Sequence, residues 1–359
     1  MSDTKLSREV GYLLSYYSNV PLLYPEFVSV GITLSCCARC RICAHWKERF
    51  EPDEELTIDE IRDIIAQLAR MGVPKLDLTG GEPLMRREVT IAAARCARDY
   101  GLETFITTNA MLMDEPTARD LLQAGIKYFN ISLDGATAAT HDHIRGVKGC
   151  FDRVMRAVDM LKRWRPVDNP EAWISLTAIV NDRSLDELVE IVRLAESLEL
   201  EGVTFNPYVI DSYRWERGDY DADEFWIKGD RIVVLRSAMA EIADMKRAGG
   251  RVHNPVEILE QIPDYFEQRE RFDPGICLAG YRNMYINSFG FVDVCAKGPK
   301  VNIRETPIRS IWRSARFYRT RLKIRRCKTP CLYTCFKRIH VGDVMKDALG
   351  LGSGGEAGG

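Results

Sequence analysis

The sequence predicts an α/β protein, a partial (β/α)6 TIM-like barrel followed by a small cysteine-rich C-terminal domain. Three observations predict it. Six short apolar runs alternate with amphipathic, helix-like stretches between residues 27 and 208. Polar motifs stand at the C-terminal ends of those runs. A second cysteine-bearing segment begins at about residue 271.

The runs are FVSVGITL (27–34), KLDLTG (75–80), ETFITTN (103–109), YFNISLDG (128–135), WISLTAIV (173–180) and GVTFNPY (202–208). Each ends in or near Gly, Asn or Asp, and a helical pattern follows most of them. TIDEIRDIIAQLARMG opens with a capping box of Thr57 and Glu60, and SLDELVEIVRLAESLEL repeats the device with Ser184 and Glu187. Near-continuous apolar strands alternating with helices imply a parallel sheet covered by helices. Six units are too few for a complete eight-fold barrel, so an open or partial barrel is expected. Chemistry in such folds sits at the C-terminal strand ends. The expected organisation is an N-terminal extension (1–26), the barrel (27–210), a helical connecting region (211–270), the cysteine-rich domain (271–340) and a Gly-rich flexible tail (341–359).

Composition excludes several classes. The 359 residues carry a formal net charge of -2, which gives no global attraction to nucleic acid or anionic lipid. No apolar stretch has the length of a membrane span, and the first residues lack a signal peptide's hydrophobic region. A cytoplasmic protein is expected. Its 11 cysteines are then reduced, and metal ligation is the first reading of them.

Cys36, Cys40 and Cys43 follow the first strand with the spacing C-x3-C-x2-C. Structural zinc wants four tetrahedral ligands, and this loop supplies three well-spaced ones. Cys37 adjoins Cys36, and His45 reaches the same ion only by a tight reversal. An iron–sulfur cluster on three cysteines leaves one iron open to a small molecule. Thr79-Gly80-Gly81-Glu82-Pro83 follows the second strand, where paired glycines allow close backbone approach and Glu82 can accept from an ammonium group. Asn109 ends the third strand and Ser132 the fourth, and Arg145 in HDHIRG is a partner for a carboxylate. Cationic and anionic recognition groups around one barrel mouth suit a zwitterionic ligand.

With these motifs in order over roughly residues 28–210, the chain resembles the radical S-adenosylmethionine (radical SAM) enzymes. The resemblance implies a [4Fe–4S] cluster on Cys36, Cys40 and Cys43, with S-adenosylmethionine on its fourth iron. It also implies that Gly80, Gly81 and Glu82 hold the methionyl amine. Asn109 and Ser132 would then lie around the ribose and methionyl portion, and Arg145 would reach the carboxylate. The residue before the third cysteine is usually aromatic and packs near adenine; here it is Ile42, which weakens that contact. The implied activity is reductive cleavage of S-adenosylmethionine to a 5′-deoxyadenosyl radical that takes hydrogen from a substrate C–H bond. An electron donor such as flavodoxin or ferredoxin is the implied redox partner.

Cys277 and Cys295 bracket a hairpin-like segment with twelve residues from Cys277 to Gly290 and four from Gly290 to Cys295; Cys327, Cys331 and Cys335 follow at intervals of four. This is similar to the twitch or SPASM extensions of radical SAM enzymes and implies a second, auxiliary [4Fe–4S] cluster with four ligands drawn from the five. Zinc is the alternative reading of the same cysteines. Arg304 to Lys328 holds ten basic residues against one Glu, which reads as a solvated helix face rather than a nucleic-acid patch. Cys37, Cys96 and Cys150 remain as a loop neighbour, a small apolar residue and a helix-opening residue, with a hydrogen-donor role a minor reading for each.

A fully protein-bound auxiliary cluster carries electrons, which favours net oxidation or dehydrogenation of the substrate. The expected substrate is a small polar metabolite such as a sugar, aminocyclitol, nucleoside or cofactor precursor. Peptide modification is the runner-up, and a non-enzymatic iron–sulfur or zinc scaffold is the third reading.

Overall fold

A computed structural model describes residues 5–209, 220, 222–268, 275–295, 298, 300–327, 331–332 and 338–339. The helix α1 (Lys5–Ser18) precedes strand β1 (Phe27–Thr33). Five further strand–helix units follow: α2 (Ile58–Arg70), β2 (Lys75–Gly80), α3 (Arg87–Asp99), β3 (Glu103–Thr108), α4 (Glu115–Gln123), β4 (Ile126–Ser132), α5 (Ala138–Arg145), α6 (Cys150–Asp168), β5 (Trp173–Val180), α7 (Leu188–Ser197) and β6 (Gly202–Pro207). The helices α8 (Arg231–Arg247) and α9 (Val256–Glu267) lead to β7 (Ile276–Cys277), β8 (Asn283–Ile286), β9 (Phe291–Asp293), β10 (Val301–Asn302), α10 (Ile308–Arg313), α11 (Ala315–Arg325) and β11 (Arg338–Ile339).

Strands β1 to β6 are parallel and adjacent in sequence order, so each crossover places its helix on the same outer layer. The hairpin of β8 and β9 is antiparallel within itself, yet β8 pairs in parallel with β1. The C-terminal segment therefore extends the barrel sheet at its β1 edge, in the order β10-β9-β8-β1-β2-β3-β4-β5-β6. Arg338 of β11 returns to pair with Cys277 in β7.

The strands alternate. Val28, Val30, Leu76, Leu78, Ile106, Phe129, Ile131, Ile174, Leu176, Val203 and Phe205 point outward and are fully or nearly fully buried under the helices. Ile61, Ile64, Ile65 and Leu68 of α2 show the helical side of that core. The opposite strand face carries Ser29, Asp77, Thr107, Asn130, Thr177 and Thr204; Ser29 pairs with Asp77, Thr107 with Asn130 and Thr177 with Thr204, while Asp77 is level with Phe105. All of these except Asp77 remain partly open. A closed eight-stranded barrel fills its interior with branched apolar side chains. Here the outer face is apolar throughout, while the lumen face is polar beyond a row of aromatic rings at its N-terminal end, which corrects the reading of the strands as near-continuous apolar runs. At the N-terminal ends of the strands, Phe27 meets Phe105 edge-on at 5.3 Å, Phe105 stacks on Tyr128 at 4.1 Å, and Tyr128 leans on Trp173 at 6.0 Å. This aromatic row floors the lumen.

The capping box of Thr57 and Glu60 is formed. That of Ser184 and Glu187 is not: the Glu187 carboxylate instead accepts from Thr137 N–H at 3.0 Å and Thr137 Oγ1 at 2.9 Å, and α7 starts at Leu188. Glu187 ties α5 to the next unit, a tertiary use that outcompetes the local cap. The basic run is not wholly solvated either. Arg321 is buried between Trp312 and Phe317, 4.5 Å from each ring, and donates to the carbonyls of Gly280 and Trp312.

Candidate active site

The cysteine loop leaves β1 at the C-terminal mouth of the lumen and is held from two sides. On one side Gly81 N–H donates to Thr33 O at 2.7 Å and Glu82 N–H to Ser35 O at 2.8 Å. A β-carbon on Gly80 would collide with Thr33 O, and one on Gly81 with the carbonyls of Leu34 and Ser35. The paired glycines thus let the chain approach its own cysteine loop. On the other side Arg39 N–H donates to Arg145 O at 3.1 Å and Arg41 N–H to Ile144 O at 2.9 Å, using carbonyls that the end of α5 leaves unpaired. Within the loop, Arg39 donates to Cys36 O and Ala38 O, and Trp46 Nε1 donates to Cys40 O at 2.9 Å.

Cys36, Cys37, Cys40 and Cys43 gather with Ala38, Met111 and Cys150 in one apolar nest. Burial pushes the Cys43 thiol up to about 11 and the Cys40 thiol up as well. A hydrogen bond shared with Cys37 raises Cys36 and lowers Cys37. Ligation needs thiolates, so occupation of this nest by metal releases protons. Ile42 is half-buried and packs on both this nest and the main core.

The predicted ligand-binding residues converge here, but several are already engaged by protein. Glu82 is fully buried; its carboxylate accepts from Thr108 Oγ1 at 2.6 Å, Asn109 N–H at 2.7 Å and Leu84 N–H at 3.0 Å. Its side chain shapes the turn, which leaves the backbone of 80–82 for an ammonium group. Asn109 points its Nδ2 at Cys36 Sγ, 3.7 Å away, and at Cys37 Sγ, 3.6 Å away, while its Oδ1 accepts from Met111 N–H. Ser132 ends β4 half-buried on the lumen face, opposite Thr177. Arg145 pairs with the fully buried Asp134 at 2.8 Å and reaches Cys40 Sγ at 3.8 Å. Its Nε is buried without a hydrogen-bond partner, a donor that a ligand carboxylate would satisfy. Three cysteines in one nest, with an unsatisfied buried guanidinium donor beside them, fit a cluster that carries a carboxylate-bearing ligand.

His141 is the neighbour that the sequence reading missed, although it lies in the same HDHIRG motif as Arg145. Its Nδ1 accepts from Asp134 N–H at 3.1 Å, which leaves the proton on Nε2, 3.2 Å from Cys150 Sγ. Burial, reinforced by Arg145, lowers its pKa to about 3, so the ring is neutral.

In the C-terminal segment Cys331 is buried and Cys277, Cys295 and Cys327 are half-buried; Cys335 lies outside the described residues. Cys277 stands in β7, where it pairs with Arg338 of β11, Cys295 follows β9 of the hairpin, and Cys327 follows α11.

Comparison with known proteins agrees with this arrangement. Residues 30–195 match the radical SAM superfamily, and residues 277–336 match the SPASM iron-sulfur cluster-binding domain. The chain belongs to the radical SAM superfamily, and it is an enzyme that uses a [4Fe–4S] cluster, S-adenosylmethionine and an auxiliary iron–sulfur cluster. It is 28% identical to an AdoMet-dependent heme synthase of Methanosarcina barkeri, over 89% of this chain and 90% of that protein. It is 26% identical to a PqqA peptide cyclase of Rhodopseudomonas palustris, over 91% of this chain and 84% of that one. Streptococcus suis SuiB bound to S-adenosylmethionine has a similar fold, with a TM-score of 0.64 at 17% identity, covering 87% of this chain and 71% of that one. The zinc and scaffold readings fall with the family assignment. No helix among the described residues is long and apolar enough to cross a membrane.

Proposed function

We propose that the enzyme oxidises a small polar substrate seated in the barrel lumen beneath the cysteine loop. Cys36, Cys40 and Cys43 would hold the first cluster, and Arg145 and the backbone of Gly80, Gly81 and Glu82 the ends of the methionyl group. When bound, these cofactors supply a one-electron oxidant able to remove hydrogen from an unactivated C–H bond. The observation that supports the substrate reading is the partly exposed polar face of β1 to β6, which lies between the aromatic row at the N-terminal strand ends and the cysteine loop that leaves the C-terminal end of β1. Its hydroxyl and amide groups match a substrate rich in hydrogen-bonding groups. Five candidate ligands in the C-terminal segment suit a fully protein-bound auxiliary cluster, the form suited to electron transfer and hence to net oxidation.

Peptide modification is the second reading, supported by the extended similarity to a protein named PqqA peptide cyclase. The test is 5′-deoxyadenosine formation by anaerobically reconstituted, dithionite-reduced enzyme, supplied in turn with the dialysable and the peptide fractions of a cell extract. Stimulation by the dialysable fraction is expected. Stimulation by peptides alone would transfer the assignment to the second reading.

A further inference from the structure

Asn109 follows β3 and is only 6% exposed. Its backbone N–H donates to the buried Glu82 carboxylate at 2.7 Å, which ties the residue to the turn after β2. Its Oδ1 accepts from Met111 N–H at 3.0 Å, across Ala110 at φ +56°. Left-handed backbone is costly for a residue with a β-carbon, and Thr108 Oγ1 helps to hold it there by accepting from Ala110 N–H at 2.9 Å. A backbone N–H can only donate, so the Met111 bond decides which way the amide faces. Its Nδ2 is thereby turned to the cysteine loop, 3.7 Å from Cys36 Sγ and 3.6 Å from Cys37 Sγ. Oδ1 also lies 3.6 Å from Cys37 Sγ, so Cys37 can donate to the amide as well as accept from it. Toward Cys36 the amide presents its donor.

Resting on the assignment of the first cluster to Cys36, Cys40 and Cys43 above, we propose that Asn109 is a positioning residue that tunes this cluster: its Nδ2 donates to the Cys36 thiolate and raises the reduction potential. The side chain is thus assigned to a ligand sulfur rather than to S-adenosylmethionine, the role that the resemblance implied. A thiolate is a stronger acceptor than a thiol, so ligation strengthens the contact. Donation to a ligand sulfur favours the more electron-rich reduced state, and hydrogen bonds to sulfur are among the factors that set such potentials. The nest holds Ala38, Met111 and Cys150, so one oriented amide is weakly screened there. The step concerned is the entry of one electron from an external reductant, with no bond made or broken.

The test is a potentiometric titration of the full chain with both clusters, using dithionite as reductant and electron paramagnetic resonance as readout. Added S-adenosylmethionine marks the first cluster's signal, since it alters the cluster that it binds. Asn109→Leu removes the donor at similar size. Its equilibrium constant for reduction should fall about tenfold, a shift of about 59 mV for a one-electron couple. The auxiliary cluster should keep its wild-type potential. Asn109→Ser serves as a second variant: its hydroxyl keeps a local acceptor for Met111 N–H but is too short to span the distance to Cys36. Its shift should have the same sign. Wild-type potentials in both variants would overturn the proposal. Weakened S-adenosylmethionine binding at an unchanged potential would do the same and return Asn109 to the ligand. Loss of the first cluster's iron from both variants would make Asn109 a structural residue of the loop and overturn it equally. The iron content of Cys40→Ala reports separately on the cluster assignment: if it equals wild type, that assignment fails, and the proposal with it, whatever the titration shows.

Discussion

The Asp134 carboxylate lies 2.8 Å from Arg145 Nη2, and both side chains are withdrawn from water beside Cys40. Asp134 is fixed independently, since its Oδ1 accepts from Ile179 N–H at 2.9 Å. The guanidinium at the end of α5 is therefore held at the cysteine nest by a carboxylate that follows β4 and is itself anchored on β5.

Asp134→Asn keeps the acceptor for Ile179 but leaves Arg145 buried without a counter-charge. Breaking such a pair costs about 3–5 kcal/mol, and urea unfolding should show a loss of that size. Adding Arg145→Met should recover a large part of it, because removing both charges also removes their desolvation penalty. Full additivity of the two losses would show that the residues do not interact.

Gly81→Ala should strip iron before it unfolds the protein. The added methyl collides with the Leu34 and Ser35 carbonyls, and the cysteine loop is the segment that must move. The barrel core lies on the other face of the sheet and is untouched. Reconstituted protein should keep its circular dichroism yet carry markedly less iron per chain. Unchanged iron content would mean that the loop tolerates the displacement.

The barrel was legible because its outer face is written in apolar residues at every second position of each short run, and the first cysteine loop because C-x3-C-x2-C is a local pattern. The lumen was harder to see. In KLDLTG and YFNISLDG the apolar outer residues alternate with Asp77, Asn130 and Ser132, and that two-residue period was the available signal. The engagement of Glu82 by Thr108 and Asn109 could not be read, since it depends on the register of β2 against β3. Likewise, Glu187 looked like a cap because its tertiary partner Thr137 lies fifty positions away.

Asp77 should make stability fall as pH rises. Its pKa is about 6 in the folded chain against 3.8 ordinarily, so between those values the folded state binds the proton that the unfolded state releases. Its contribution is most favourable below 3.8 and is lost as pH rises through 6. The full difference is on the order of 3 kcal/mol. Asp77→Asn should therefore be more stable than wild type at pH 7.5, with the gap closing toward pH 4. A gap that stays constant over that range in urea titrations would place the Asp77 pKa near its ordinary value.

Cys277→Ser should remove one cluster and spare the other. Cys277 stands in β7, held by β11 at its edge, whereas Cys36, Cys40 and Cys43 hang from the C-terminal end of β1. The two cysteine groups are therefore carried by different parts of the fold, and loss of a ligand in one leaves the other's frame intact. Two [4Fe–4S] clusters correspond to about eight irons per chain, so the variant should hold about four while a Cys40→Ala variant holds a different four. Deoxyadenosine formation separates them: it should persist in Cys277→Ser and vanish in Cys40→Ala. If Cys277→Ser instead keeps the wild-type iron content, Cys277 is the spare thiol of the five, and the auxiliary cluster rests on Cys295, Cys327, Cys331 and Cys335.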